Sequence, residues 1–154
     1  MTPRRIVLDA NILIRAMLGV KVGCLLAQYA DSTEFCAPSE AFQEAEAHLP
    51  HILKKRGICA EDLSVSFSAV RLLVFEIPVE ATDPLRNAAL RRIGRRDPDD
   101  WPVVAAALAL DCPIWTEDRD FFGAGVATWT SDLVEIYLQE GLSDVSDSES
   151  CEVI

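Results

Sequence analysis

The chain has 154 residues, half of them hydrophobic and a quarter charged, enough for one domain with a real core and too few to expect two. Its longest charge-free run, residues 121–131, falls well short of the roughly 18 apolar residues of a membrane span. The net charge of −11 disfavours broad, non-specific nucleic-acid binding without excluding a local phosphate site. Asp9 sits inside the N-terminal apolar run, so that segment does not read as a signal peptide. Five cysteines (Cys24, Cys36, Cys59, Cys112, Cys151) form an odd set with no CxxC spacing. That argues against a disulfide framework or a zinc site and for a reducing compartment, the cytoplasm.

Residues 4–8 read as a short buried strand with an acid, Asp9, at its end, and residues 12–29 then show helical periodicity. A second strand is expected over 34–37. Pro38 and Ser39 open a helix through about Leu49 with Phe42, Ala45 and Leu49 on one face. Residues 50–57 read as a separate polar helix ended by Gly57, and 60–74 as another with Leu63, Phe67, Val70 and Val74 on one stripe. A third strand covers 75–79. Thr82-Asp83-Pro84 is a helix start, with Pro84 at the first helical position, and that helix stops near Gly94. Trp101 to Leu110 forms an alanine-rich apolar helix, followed by strands over 112–116 and 126–129. Thr130-Ser131-Asp132 caps a last helix reaching about Glu140 and ended by Gly141. This gives one domain over 1–141 and an acidic segment, 142–154, that reads as disordered.

Short apolar strands separated by helices imply a parallel sheet covered on both faces. Ligands of such sheets sit beyond the carboxyl ends of the strands, near the point where strand order reverses. Acids follow the strands there. Asp9 ends the first, Glu44 lies in the helix after the second, and Asp118 and Asp120 follow the fourth, while Asp97, Asp99 and Asp100 open the helix that leads into it. Each also has a structural explanation. Asp9 suits a helix cap, Asp118 and Asp120 suit a turn, and Glu44 competes with Glu40 and Glu46. Pro102 lacks an N–H and fits only a first helical turn, so the helix is expected to begin at Asp99 or Asp100, with Asp100 at its positive end. Capping accounts for one acid there and not for three within four residues.

Crowded carboxylates repel one another and retain protons. A divalent cation removes that cost, and Mg²⁺ or Mn²⁺ prefers oxygen ligands. Other chemistry is scarce. His48 and His51 share one helical segment and read as surface residues, and no GxSxG motif, glycine-rich phosphate loop or HExxH motif occurs. Phosphodiester hydrolysis by a metal-activated water is the reaction that carboxylates can support without a nucleophilic side chain.

In this order, IVLDANILI, APSEAFQEAEAHL, DPDDWPVVAAALAL and PIWTEDRDFF resemble the acidic motifs of PIN domains, the nuclease fold of VapC-type toxins. The resemblance spans roughly residues 4–140. It implies a three-layer α/β/α sandwich with a central five-stranded parallel sheet, and a Mg²⁺- or Mn²⁺-dependent endoribonuclease. By motif, Asp9, Glu44, Asp100 and Asp118 are the catalytic acids, with Asp9, Asp100 and Asp118 on the metal and Asp97 and Asp120 as further metal-site acids. Asn11 and Thr116 match supporting polar positions. Family membership further implies a homodimer, a neutralising antitoxin partner of the VapBC type and a single-stranded or looped RNA substrate. Arg91, Arg92, Arg95 and Arg96 directly precede the acidic segment and are expected either to position RNA phosphates or to form a solvated helix face. Trp101, Trp115 and Trp129 are expected to pack, although Trp101 is also placed to stack on a base. The excess acidity motivates an alternative, a catalytically weak PIN module that binds RNA or protein. A phosphoacceptor domain would also carry acids at strand ends, but it calls for a lysine after a late strand, and residues 112–130 contain none.

Overall fold

The computed structural model describes residues 3–140, apart from the side chains of residues 60–65. The acidic segment 142–154, the helix stop at Gly141, Leu63 and Cys151 therefore lie outside the described residues. Five parallel strands, β1 (Arg4–Leu8), β2 (Thr33–Pro38), β3 (Val74–Ile77), β4 (Ile114–Trp115) and β5 (Thr128–Trp129), form one sheet in the order β3-β2-β1-β4-β5. The helices are α1 (Ala10–Leu18), α2 (Lys21–Gln28), α3 (Ser39–Arg56), α4 (Ala60–Leu73), α5 (Val79–Thr82), α6 (Arg86–Ile93), α7 (Trp101–Leu110) and α8 (134–140). The three-layer sandwich expected from the sequence is what forms.

Strand side chains alternate between faces, so a strand covered on both sides must be apolar at every position. In β1, Ile6 and Leu8 enter one core with α1, α2, α3 and α4, while Val7 enters the other with α6 and α7. Trp115 and Ile114 divide in the same way in β4. The apolar character of α7 on all sides follows from its position, since Pro102 through Ala107 are all buried.

Two helix boundaries depart from the sequence expectation. Residues 12–29 form two helices, α1 and α2, whose axes meet at 98°, because the chain leaves helical geometry at Gly19 (ψ 171°). Residues 39–56 form a single helix with Pro50 inside it, where a break was expected. Pro50 forfeits one backbone hydrogen bond, but buried Leu49 and Leu53 fix the helix against the core on either side of it. Gly57 ends α3 in the left-handed conformation (φ 65°), and the Ile58 N–H bonds back to the Leu53 carbonyl at 3.1 Å. Among the described residues, no single helix is long and apolar enough to cross a membrane.

The chain builds β1, β2 and β3 outward in one direction, then returns to lay β4 on the other side of β1. Strand order therefore reverses between β1 and β4, and the carboxyl ends of these two strands flank the opening where such sheets bind ligands. Ile114, fully buried and paired in register with Val7 and Thr128, anchors β4 at that point. Ile114→Ala is expected to cost about 3 kcal/mol and to lower the melting temperature by roughly 10 °C, measured by thermal denaturation.

Candidate metal centre

Three turns deliver the acids. Asp9 leaves β1 in extended conformation as the N-cap of α1, and its Oδ1 accepts the Ile12 N–H at 3.0 Å. Its Oδ2 accepts a short hydrogen bond from the Thr116 hydroxyl, which in turn accepts the Asp118 N–H at 3.0 Å. Thr116 thus ties the end of β1 to the turn after β4. Asp118 and Asp97 use one device twice, each capping a 3-10 turn by accepting the N–H two residues on: Asp120 N–H at 2.9 Å and Asp99 N–H at 3.1 Å. α7 proper begins at Trp101, just after this turn, with Asp100 at its N-cap and Pro102 in its first turn.

Asp100 is the exception. As an N-cap residue it is expected to bond the backbone, yet it makes no capping hydrogen bond, and its Oδ2 is buried without a partner. Glu40 Oε2, from the first turn of α3, is also buried and unpartnered. Both residues line a small hollow of about 90 Å³ together with Asp9, Glu44, Asp97, Asp99 and Asp118, beside Asn11 and with no basic side chain in its wall. Asp120 stands at its rim. Carboxylate oxygens of Asp97, Asp100 and Asp120 lie within 4.8 Å of one another.

The crowding shows in the titration of the two innermost acids. Burial pushes the Asp9 carboxyl up to about 6, with Asp118 and Glu44 adding repulsion, against the stabilising hydrogen bonds from Thr116 and Ile12. Burial likewise lifts Asp100 to about 7, reinforced by Asp97, Asp118, Glu44 and Asp9. Asp100 is the acid common to both sides of the hollow. It feels Asp9, Asp118 and Glu44 on one side and shares a ligand-sized cluster with Asp97 and Asp120 on the other. An orphaned buried carboxylate oxygen amid uncompensated negative charge fits a cation, and a donor set made only of oxygen fits a hard one such as Mg²⁺ or Mn²⁺.

The structure thus brings together Asp9, Asn11, Glu44, Asp97, Asp100 and Asp118, with Thr116 beneath them and Asp120 adjoining. Of the competitors for the helical acid, Glu46 is bound to Arg71 at 3.2 Å, whereas Glu40 faces the hollow together with Glu44. The signal for Glu40 was its spacing: residues four apart share a helix face. His48 and His51 are exposed, with His48 Nε2 3.8 Å from Glu44. Trp115 is buried, and the Arg86 guanidinium lies 5.0 Å over the Trp101 ring.

Arg91 and Arg92 lie at the end of α6, and Arg95 and Arg96 in the turn that follows it. Arg92 Nη1 donates to the Ala124 carbonyl at 3.1 Å, and Arg96 Nη1 donates to the Phe122 carbonyl, with longer contacts to those of Arg119 and Asp120. Both guanidinium groups are engaged with the loop that carries Asp120, while Arg91 and Arg95 are exposed and line neither the hollow nor that loop. Gly125, at φ +81°, leaves room for Arg92: a Cβ there would come within 2.2 Å of Nη1.

A parallel α/β domain with a carboxylate hollow at its switch point is a recognisable class. The family model for the PIN domain matches residues 7–139, and the chain belongs to that family. Its fold is similar to a chain of VapBC2 from Rickettsia felis, solved bound to a DNA fragment from its promoter (TM-score 0.64, 15% identity, 82% of this chain and 98% of that one). It is also similar to a chain of a toxin-antitoxin complex from Klebsiella pneumoniae (TM-score 0.56, 16% identity, 81% and 96%). FitAcB from Neisseria gonorrhoeae is a third such neighbour (TM-score 0.51, 17% identity, 82% and 97%). No curated protein sequence matches the chain.

A carboxyl whose pKa is raised on folding binds its proton more tightly in the native state, so its contribution to stability is full below the unfolded value and is lost as pH rises through the folded one. With Asp9 raised from 3.8 to about 6 and Asp100 from 3.8 to about 7, the metal-free protein is expected to melt progressively lower between about pH 4 and about pH 7. Asp100→Asn should flatten that slope in thermal melts with chelator, and saturating Mn²⁺ should reverse it. Arg96→Ala, which frees the loop bearing Asp120, is expected to weaken Mn²⁺ binding about tenfold by calorimetry, while Arg96→Lys retains part of the affinity.

Proposed function

We propose that this chain is a divalent-cation-dependent endoribonuclease that hydrolyses single-stranded or looped RNA, and that it is the toxin of a VapBC-type toxin-antitoxin pair. The observation that carries this reading is the buried, unpartnered Asp100 Oδ2 in a hollow walled by carboxylates and lacking any base. Asp9, Asp100 and Asp118 would hold Mg²⁺ or Mn²⁺, with Glu44, Asp97 and Asp120 completing one or two ion sites. When bound, the cation supplies a water of lowered pKa as nucleophile and charge stabilisation for the leaving oxygen.

The protein's own groups prepare that chemistry. Thr116 fixes the orientation of Asp9 and couples it to Asp118. Arg92 and Arg96 hold the turn bearing Asp120 against α6. In the metal-free protein Asp100, at about 7, is partly protonated near neutral pH, whereas Asp9, at about 6, holds its proton only in mildly acidic solution; both release protons on cation uptake, so the site loads more readily as pH rises. Neighbours solved as toxin-antitoxin complexes support an antitoxin partner. The homodimer and the cytoplasmic setting follow from the family resemblance and the cysteine usage.

Purified protein incubated with RNA and Mn²⁺ is expected to cleave it, with cleavage abolished by EDTA and reduced at least about 100-fold by Asp9→Asn. Cleavage insensitive to both controls would overturn the nuclease assignment. Chelator-insensitive RNA binding without turnover would instead favour the catalytically weak module. In melts without metal, Asp9→Asn should be neutral or stabilising near pH 7, because it removes one repelling charge.

A further inference from the structure

A second hollow adjoins the first, and its lining is of opposite character. This groove, of about 450 Å³, runs along the end of α1 and the start of α2 and is lined by Arg15, Lys21 and Arg56, with Glu117, Ser131 and Asp132 along its far wall. Two elements contribute to both hollows. Asn11 in the acid hollow and Arg15 in the groove lie four residues apart on α1, hence on one face a single turn apart. Asp118 in the first and Glu117 in the second are consecutive residues of the turn after β4.

The charges in the groove are unequally committed. Glu117 Oε1 accepts the Ser131 N–H at 2.6 Å and so serves the backbone. Lys21 pairs with Asp132 at 3.1 Å, but both side chains are largely exposed, and such a pair is worth too little to resist exchange for a phosphate. Arg15 and Arg56 are exposed and have no hydrogen-bond or ion-pair partner among the described residues. In a chain of net charge −11, three cations gathered in one groove beside an acid hollow are a local reversal of sign. α2 begins without a side-chain cap at Val20, which places its positive end in the same wall.

We propose that this groove carries the single-stranded RNA backbone away from the metal centre, with Arg15, Lys21 and Arg56 binding successive phosphates. This rests on the nuclease reading above. A strand whose scissile phosphate lies at the carboxylates can continue over Arg15, one helical turn along α1 from Asn11, into a groove where three cations outnumber the two acids, Glu117 and Asp132. The ligand is polyanionic and extended, and the contacts are to phosphate rather than to bases, so the groove contributes affinity and direction instead of sequence choice.

The test is fluorescence anisotropy with a labelled single-stranded RNA of about ten nucleotides, in EDTA so that nothing is cleaved. Arg15→Gln combined with Arg56→Gln is expected to weaken binding about tenfold and to reduce the slope of log affinity against log salt by about 1.4, the share of two phosphate contacts on a single strand. Arg91→Gln with Arg95→Gln, away from both hollows, should leave affinity within about twofold. Both side chains of the first pair are exposed, so its melting temperature should match the wild type; if that variant does not fold, Lys21→Gln is read in its place, with a smaller loss in the same direction. Unchanged RNA affinity in the groove variants, an equal loss in the Arg91 and Arg95 variant, or no RNA binding by the wild type overturns the proposal. Competition by oligoglutamate as effective as that by RNA also overturns it, and assigns the groove to an acidic protein segment. Mn²⁺-dependent, EDTA-sensitive cleavage of the same RNA by the wild type reads the nuclease assignment separately. Its absence defeats that assignment without touching the binding result.

Discussion

Carboxylates confined in a poorly solvated hollow repel one another, and this fold is built to hold them there regardless. The main tie is the Thr116 hydroxyl, which joins Asp9 to the turn after β4 across 107 residues of sequence. Around it, one carboxylate oxygen of each turn accepts a backbone N–H, Asp9 from Ile12, Asp97 from Asp99 and Asp118 from Asp120, and the second oxygen of Asp9 is the one that Thr116 holds. Asp100, by contrast, makes no capping bond to the backbone, and burial and its acidic neighbours push it further than Asp9 toward retaining its proton. Structural and functional uses of the acids are therefore not alternatives. Capping orients the residue, and the crowding that results creates the demand for a cation.

Much of this was readable from residue order. Asp9 at the end of an apolar run and the apolar helix after DPDDWP each placed an acid at the opening between β1 and β4, and Pro102 set the start of α7 to within a residue or two. The reading failed where a local rule met a tertiary constraint. Pro50 should end a helix, but Leu49 and Leu53 pack on either side of it and α3 continues. The end of α1 at Gly19 is hidden because apolar residues continue beyond it into α2, so periodicity alone sees one helix. The choice among Glu40, Glu44 and Glu46 required side-chain directions. Arg71 removes Glu46, and the hollow admits both of the others.

The arginines show the limits of reading charge along a sequence. Arg92 and Arg96 adjoin the acidic motif and read naturally as phosphate contacts or a solvated face, and the structure adds a role that charge alone does not reveal, since one nitrogen of each donates to a backbone carbonyl of the loop that follows Asp118. Three further cations, Arg15, Lys21 and Arg56, come from α1, α2 and α3 and line the second groove. Net charge is an equally poor guide. A protein of strongly negative total can still present a cationic groove, because the sum says nothing about which face holds which sign.

The return of the chain from one side of the sheet to the other has a consequence for biosynthesis. Asp9 precedes Thr116 and Asp118 by more than a hundred positions, and these two follow a strand of only two residues that has both β1 and β5 beside it. During synthesis the carboxylate set is therefore incomplete until the turn after β4 has been made, and the hollow closes only once β4 has paired between β1 and β5.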